Sequence, residues 1–364
     1  MDFRYSAEQD DFRASLRGFL RHAGNMAHLR DVAAAEGYDG PLWKRLCAEL
    51  DLPGLNIATG YGGAGGTMLE TAIAFEELGR ALTAVPMAAT TFTIEAVMRM
   101  GDETQRHRLL PGLLSGELVG AFAAAGTDAA EAASTVMARR DDGRTTLVGE
   151  CSPVLHGHVA DVFAVPARAG HSVGVYMVAA GTPGVTVERL PSFDVTRPVA
   201  RLTLDNASAE PLAAATPGRM ERVLDVARVL LSAEMLGGAE ACLALAVEHA
   251  CTRTQFGRPI GSFQAVKHSC AEMMIEIDAT RVAVMFAAMS AGDPDELAST
   301  APLVKAQAAD TFTQCAGSAL QVHGGIAFTW EHDVHLYFRR AKTTEALFGS
   351  SARHRALLAD RVDL

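Results

Sequence analysis

The sequence predicts three consecutive units: a helical N-terminal domain, a small β-domain and a C-terminal bundle of four helices. Three observations carry this. Apolar residues recur at helical spacing up to about residue 118 and again after residue 216, whereas the stretch between is made of short β-branched runs punctuated by Gly, Pro, Asp and Asn. A Pro/Ala-rich linker, Pro211 to Gly218, marks the second change of texture. At 364 residues and 49% apolar composition, the chain buries a sizeable core. The boundaries expected are 1–118, 119–215 and 216–364.

Ser6-Ala7-Glu8-Gln9 reads as a capping box that opens a helix with Phe12, Leu16, Phe19 and Leu20 on one stripe. A second helix is expected near Leu42 to Leu50. The glycine-rich Tyr61 to Gly66 then leads into a helix carrying Leu69, Ile73, Phe75, Leu78 and Leu82. That loop has neither a strand before it nor a Walker lysine, so it reads as an inter-helix turn rather than a phosphate cradle. Strands are expected at Thr145–Gly149, Val162–Val165, Val173–Val178 and Arg201–Leu204. Long helices fit Met220–Thr252, Phe263–Ala291, Glu296–Val322 and Ala346–Ala359. The apolar run Val223 to Ala250 is interrupted by Asp225, Arg228, Glu234, Glu240 and Glu248, as in a buried helix rather than a membrane span.

A net charge of -11 argues against nucleic acid as a partner. The six cysteines are scattered without a C-x-x-C, which predicts reduced, buried thiols and no metal site. Met1 to Tyr5 lacks the apolar core of a signal peptide, so a cytoplasmic location is expected and no membrane partner.

Two C-terminal segments stand out. The first is Arg253-Thr254-Gln255-Phe256-Gly257-Arg258-Pro259-Ile260, followed by Gln264. The second is Gln321-Val322-His323-Gly324-Gly325-Ile326-Ala327-Phe328-Thr329. A guanidinium at Arg253 offers two parallel donors to a diphosphate, Phe256 an aromatic cover, and the glycines close backbone approach. The plainer readings are an arginine complementing the end of its helix, and glycines ending theirs. Asp225 and Arg228 lie three apart on one helix face, which by itself is an ion pair.

Together these segments resemble the acyl-CoA dehydrogenase family, and the helical, β, helical order matches that family's fold over the whole length. The resemblance implies FAD as cofactor, its diphosphate and adenosine held by Arg253, Phe256, Gln264, Gln321, Val322, His323, Gly324 and Gly325, often for a flavin seated mainly in a neighbouring subunit. It implies Asp225 and Arg228 near an acyl-CoA substrate, and an electron-transfer flavoprotein or similar acceptor. The implied reaction is α,β-dehydrogenation: a base takes the α-proton and the β-hydride passes to flavin.

The sequence departs from the family at the chemistry. Where the family's glutamate is expected, in Leu347-Phe348-Gly349-Ser350-Ser351, stands Phe348; the alternative family position, before Arg228, holds Ala227. Glu345 and Glu234 are the nearest replacements. The family's Thr-Glu-Pro and Trp-Ile-Thr segments are replaced by Ala123-Ala124-Ala125 and Pro153-Val154-Leu155. The flavin-ring side is thus degraded and the adenosine side kept. That asymmetry resembles the degenerate subunit of two-chain, sterol side-chain type dehydrogenases of actinobacteria, with a homologous subunit supplying the base. The other readings are a self-sufficient dehydrogenase with another base, a flavin oxidase or monooxygenase in which His156 or His323 matters, and a non-catalytic structural subunit.

Overall fold

The computed structural model describes residues 3–363; Met1 and Asp2, part of the N-terminal reading above, and Leu364 lie outside the described residues. The first unit is helical: α1 (Ala7–Ala23), α2 (Met26–Ala34), α3 (Gly40–Leu50), α4 (Met68–Arg80), α5 (Met87–Met100) and α6 (Glu103–Leu114). Ser6 opens α1 with the expected capping box, its hydroxyl accepting from the Gln9 amide at 3.3 Å while the Gln9 side chain accepts from the Ser6 amide at 3.0 Å. Thr67 with Glu70 and Asp102 with Gln105 repeat the device at α4 and α6.

A mixed sheet follows, built from β1 (Gly120–Phe122), β2 (Val136–Asp141), β3 (Arg144–Leu155), β4 (Val162–Ala169), β5 (Ser172–Ala179), β6 (Val185–Leu190), β7 (Val199–Ser208) and β8 (Glu210–Pro211). The order is β6-β7-β3-β2-β4-β5-β8, with β1 running parallel to β4. A one-turn helix, α7 (Ala129–Ala132), leaves the end of β1. The β3–β7 register slips between Cys151 and Val154, where Pro153 has no N–H to give the ladder.

The chain then enters α8 (Pro217–Thr252), a two-residue hairpin of β9 (Thr254–Gln255) and β10 (Arg258–Pro259), α9 (Gln264–Met289), α10 (Pro294–His323), α11 (Val334–Ala346) and α12 (Ser351–Arg361). Although α8 is long and apolar enough to span a bilayer, it is mostly buried at the centre of the bundle. Gly79 on α4 and Gly237 on α8 let these helices cross at backbone contact: a Cβ at Gly237 would collide with the Glu76 carbonyl.

Two corrections to the expected elements matter. The period across Ala346–Ala359 does not make one helix: α11 ends at Ala346, and Leu347–Ser350 turns the chain before α12, with Phe348 at φ 56° and Gly349 at φ 109°. The Ser350 hydroxyl, capping α12 by accepting from the Arg353 amide at 3.4 Å, favours the break. The cysteines are not all buried: Cys251 is exposed and Cys270 half-buried, because both sit at the α8–α9 end of the bundle.

Candidate functional site

Arg253 is the first residue past α8 and starts the hairpin. The hairpin turn puts Phe256 at φ 53° and Gly257 at φ 76°, the left-handed pair that a two-residue loop needs. This holds the Phe256 ring 92% exposed, edge-on to Phe263 at 6.1 Å. The Arg253 guanidinium is exposed and has no hydrogen bond or ion pair among the described residues, while its backbone N–H closes the helix by donating to the His249 carbonyl at 2.9 Å. Gln264, the first residue of α9, is exposed as well.

The second segment ends α10. Gln321 is exposed and Val322 half-buried; Gly324 takes φ 66° and ψ -142°, a region glycine alone enters readily. A Cβ on Gly324 or Gly325 would meet nothing within 4 Å, so a ligand can approach the backbone there. His323 differs from its neighbours. It is buried, its Nδ1 paired with the Ala319 carbonyl at 2.7 Å, its ring stacked on His249 at 4.4 Å and against His332 at 4.5 Å. It therefore ties the last turn of α8 to the loop after α10 instead of facing outward with Gln321 and the glycines.

On the other side of the bundle, Phe348 closes a cavity of about 250 Å³ shared with Phe122, Ala124, Ala125, Gly126, Thr127, Pro153 and Leu155. Its ring is 6% exposed and meets Phe92 edge-on at 5.9 Å. The cavity wall contains no Lys, Arg or His. Its single ionisable side chain is Glu131, which accepts the Thr127 amide at 2.8 Å. That carboxylate is exposed and also lies 3.9 Å from the Arg353 guanidinium, so the wall offers no buried carboxylate. Ala227 is fully buried inside α8.

Neither replacement carboxylate reaches this cavity. Glu345 pairs with Lys342 at 2.5 Å. Glu234 is buried against Arg197 and Arg340, the latter at 3.1 Å; burial alone would raise its pKa, but the two guanidiniums outweigh this and hold it below the usual carboxylate range. Asp194 pairs with Arg340 in the same network. His156 is buried with both ring nitrogens unpaired; burial, then the Arg197 charge, press its pKa well below the usual value. It lines a separate space of about 20 Å³ beside Arg197, Glu234 and Arg340, with Leu155 between it and the Phe348 cavity.

Asp225 and Arg228 do form the expected pair, but inside the protein. Arg228 is fully buried, donating to Asp225 and to the Thr127 carbonyl, and Arg361 reaches Asp225 at 2.8 Å. The pair anchors the Gly126–Thr127 loop through the Thr127 carbonyl.

The sequence reading missed Lys305 and His354, both fully buried behind Phe348. Lys305 Nζ donates to the Thr344 and Glu345 carbonyls at 3.1 and 3.2 Å, closing the end of α11; burial lowers its pKa to about 7. A signal existed: Lys305 lies on the apolar stripe of Ala301, Val304, Ala308 and Phe312. Among the described residues, no group of three or more His, Cys, Asp or Glu is arranged to hold a metal ion.

A helical domain, a mixed sheet and a helical bundle in this order, with the exposed Arg253 hairpin after α8 and the Phe348 cavity at the sheet, define a dehydrogenase-type scaffold. Residues 6–117 match the family model described as acyl-CoA dehydrogenase, N-terminal domain, and residues 218–362 that of the C-terminal domain. The chain belongs to the acyl-CoA dehydrogenase family of oxidoreductases, the flavoproteins of fatty acid and steroid catabolism. It is 37% identical to acyl-CoA dehydrogenase IpdE2 of Mycobacterium tuberculosis, over 91% of this chain and 89% of that one. Among solved structures it is similar to the ChsE4-ChsE5 complex of Mycobacterium tuberculosis (27% identity, TM-score 0.91, 100% of this chain and 99% of that one). It is equally similar to butyryl-CoA dehydrogenase of Megasphaera elsdenii (26% identity, TM-score 0.91, 100% of both chains).

Proposed function

We propose that this chain is the base-lacking, flavin-sharing subunit of a two-chain acyl-CoA dehydrogenase. The observation that carries it is the contrast between its two half-sites. The grip of Arg253, Phe256, Gln264, Gln321 and Gly325 stands open to solvent with Gly324 beside it, while the pocket that Phe348 borders has no cation and only the exposed, amide-bound Glu131 as a carboxylate. FAD, when bound, supplies the hydride acceptor. The grip fits the anionic and adenosine end of an FAD whose ring lies in a partner; this chain's own ring-side pocket does not fit it.

On this reading His323 supports the grip from beneath through the histidine stack, and Val322 packs under it. Asp225 and Arg228 serve the acyl-CoA side by fixing the Thr127 carbonyl. The homologous partner brings the glutamate, an electron-transfer flavoprotein or similar acceptor reoxidises the flavin, and the assembly works in the cytoplasm. The divisions 1–118, 119–215 and 216–364 are the proposed domains. The similarity to a complex of two differently named chains, ChsE4-ChsE5, supports the two-chain reading. Co-expression with a homologous dehydrogenase subunit that carries the glutamate tests the proposal. The expected result is a stable hetero-oligomer whose acyl-CoA-dependent dye reduction vanishes when the partner's glutamate is replaced by glutamine and survives Phe348→Ala here. Full activity in this chain purified alone would overturn it.

A further inference from the structure

The two halves of the grip leave the bundle at different places, Arg253 after α8 and Gly324 after α10. Three imidazoles join them. His323, in the last turn of α10, meets His249 of the last turn of α8 and His332 of the loop before α11, with ring centroids 4.4 and 4.5 Å away. The outer two are fixed to backbone that shapes the grip. The His249 carbonyl accepts the Arg253 N–H at 2.9 Å, and the Arg253 carbonyl accepts the Ile260 N–H at 2.8 Å, which closes the hairpin at its base. Arg30 of α2 donates to the His332 carbonyl at 3.0 Å and to that of Trp330 at 3.1 Å.

The same backbone decides where hydrogens sit. His323 Nδ1 faces the Ala319 carbonyl at 2.7 Å; a carbonyl only accepts, so this nitrogen carries its hydrogen. The Val334 amide donates to His332 Nδ1 at 3.2 Å, so that nitrogen stays bare and Nε2 carries the hydrogen. A proton on His332 Nδ1 would cost this bond. The surrounding charges do not invite one. Arg253 acts on His249 and Arg30 on His332, while Asp333, the carboxylate acting on His332, is already paired with Arg30. His335 packs on Trp330 at 5.0 Å rather than on the cluster. Burial first, and then the neighbouring His323, depress His249 and His332 below the usual imidazole value.

We infer that His249, His323 and His332 form a neutral joint that holds the Arg253 hairpin and the Gly324–Gly325 turn in register, which makes His249 and His332 positioning residues of the dinucleotide grip. The inference rests on the flavin-sharing reading for what the grip holds, not for the joint itself. Protonation opens the joint. A released His249 or His332 takes up its proton near the ordinary 6.5 and the stacked ring only lower, so the joint is intact above that value and weakens as pH falls below it. The open form gains up to about tenfold per excluded proton for each pH unit.

The full chain without flavin tests this, so a failure counts against the joint and not against flavin sharing. The imidazole Cε1–Hε1 signals of His249 and His332 should titrate below the ordinary 6.5. Protection of the Arg253, Ile260 and Val334 amides, corrected for intrinsic exchange, should fall about tenfold for each titrating ring over the pH unit below that value. His249→Phe keeps a ring in the stack but cannot take a proton, so it should remove about tenfold of that fall. His171→Phe, in the turn between β4 and β5, should leave the fall within about twofold of the unaltered chain. A ring that only packs would change protection alike at every pH. Titration of both rings at or above 6.5, or an unaltered pH dependence in His249→Phe, would overturn the inference. So would stronger protection on acidification, which marks an anion site instead of a neutral joint. If His249→Phe does not fold, the titration of the unaltered chain decides.

Discussion

Replacing Phe348 separates a packing role from a chemical one. The ring is 6% exposed, edge-on to Phe92, and borders a cavity of about 250 Å³. Truncation to alanine removes a buried phenyl and enlarges a space that cannot collapse onto it, so the loss should be about 3–5 kcal/mol. The backbone adds a second, sharper expectation. At φ 56° a Cβ is strained, and glycine is not. At an ordinary buried position glycine is worse than alanine; here Phe348→Gly should be no less stable than Phe348→Ala, with up to ~1–2 kcal/mol recovered. Urea unfolding of the three proteins measures both quantities. In the assembled enzyme the same variants should keep most of their turnover. A fall of ~10²–10⁴-fold, the size of a lost general base, without a loss of stability, would refute the reasoning.

Arg253→Ala should weaken FAD retention in the assembly by about 1.5–3 kcal/mol, one charge-assisted bidentate contact, and Arg253→Lys should also be harmful because an ammonium lacks the planar fork; unchanged affinity in a fluorescence titration would contradict this. His354 is fully buried, and burial with the Lys305 and Arg228 charges depresses its pKa to about 3 from the ordinary 6.5. Between those values the unfolded chain holds the extra proton, so stability drops as the pH is lowered through that window, by up to ~1.4 kcal/mol per unit. Melting curves from pH 7 to pH 4 should be flatter for His354→Gln, and identical slopes would remove His354 from the account. Arg340→Met leaves Asp194 and Glu234 to share Arg197 and should cost about 3–5 kcal/mol; a change below ~1 kcal/mol would mean the network is not a structural hub.

The local signals in the sequence carried well. Ser6 with Gln9 makes its capping box, and the β-branched runs form strands. What escaped reading was tertiary. Apolar periodicity runs through Ala346–Ala359 and hides the turn at Leu347–Ser350, because that turn is set by the Ser350 cap and by the seat of Phe348 against Phe92 rather than by Pro. The Asp194–Arg340–Glu234–Arg197 network joins residues up to 146 apart along the chain, so no window of sequence contains it. Arg228 and Asp225 were legible as a pair but not as a buried one: their burial depends on Arg361 and the Thr127 carbonyl arriving from α12 and the β-domain. Helix α2, short and weakly apolar, also left little periodic trace.

The central claim is that the flavin ring and the base lie on another polypeptide. The most direct measurement is the ratio of tightly bound FAD to chains, by absorbance and quantitative amino-acid analysis, in this protein purified alone and in its complex with the homologous subunit. The expected result is essentially colourless protein alone and about one flavin for every two chains in the complex, bound by the partner's ring-side pocket and this chain's grip. One flavin per chain in the isolated homo-oligomer, with turnover of an acyl-CoA, would contradict it.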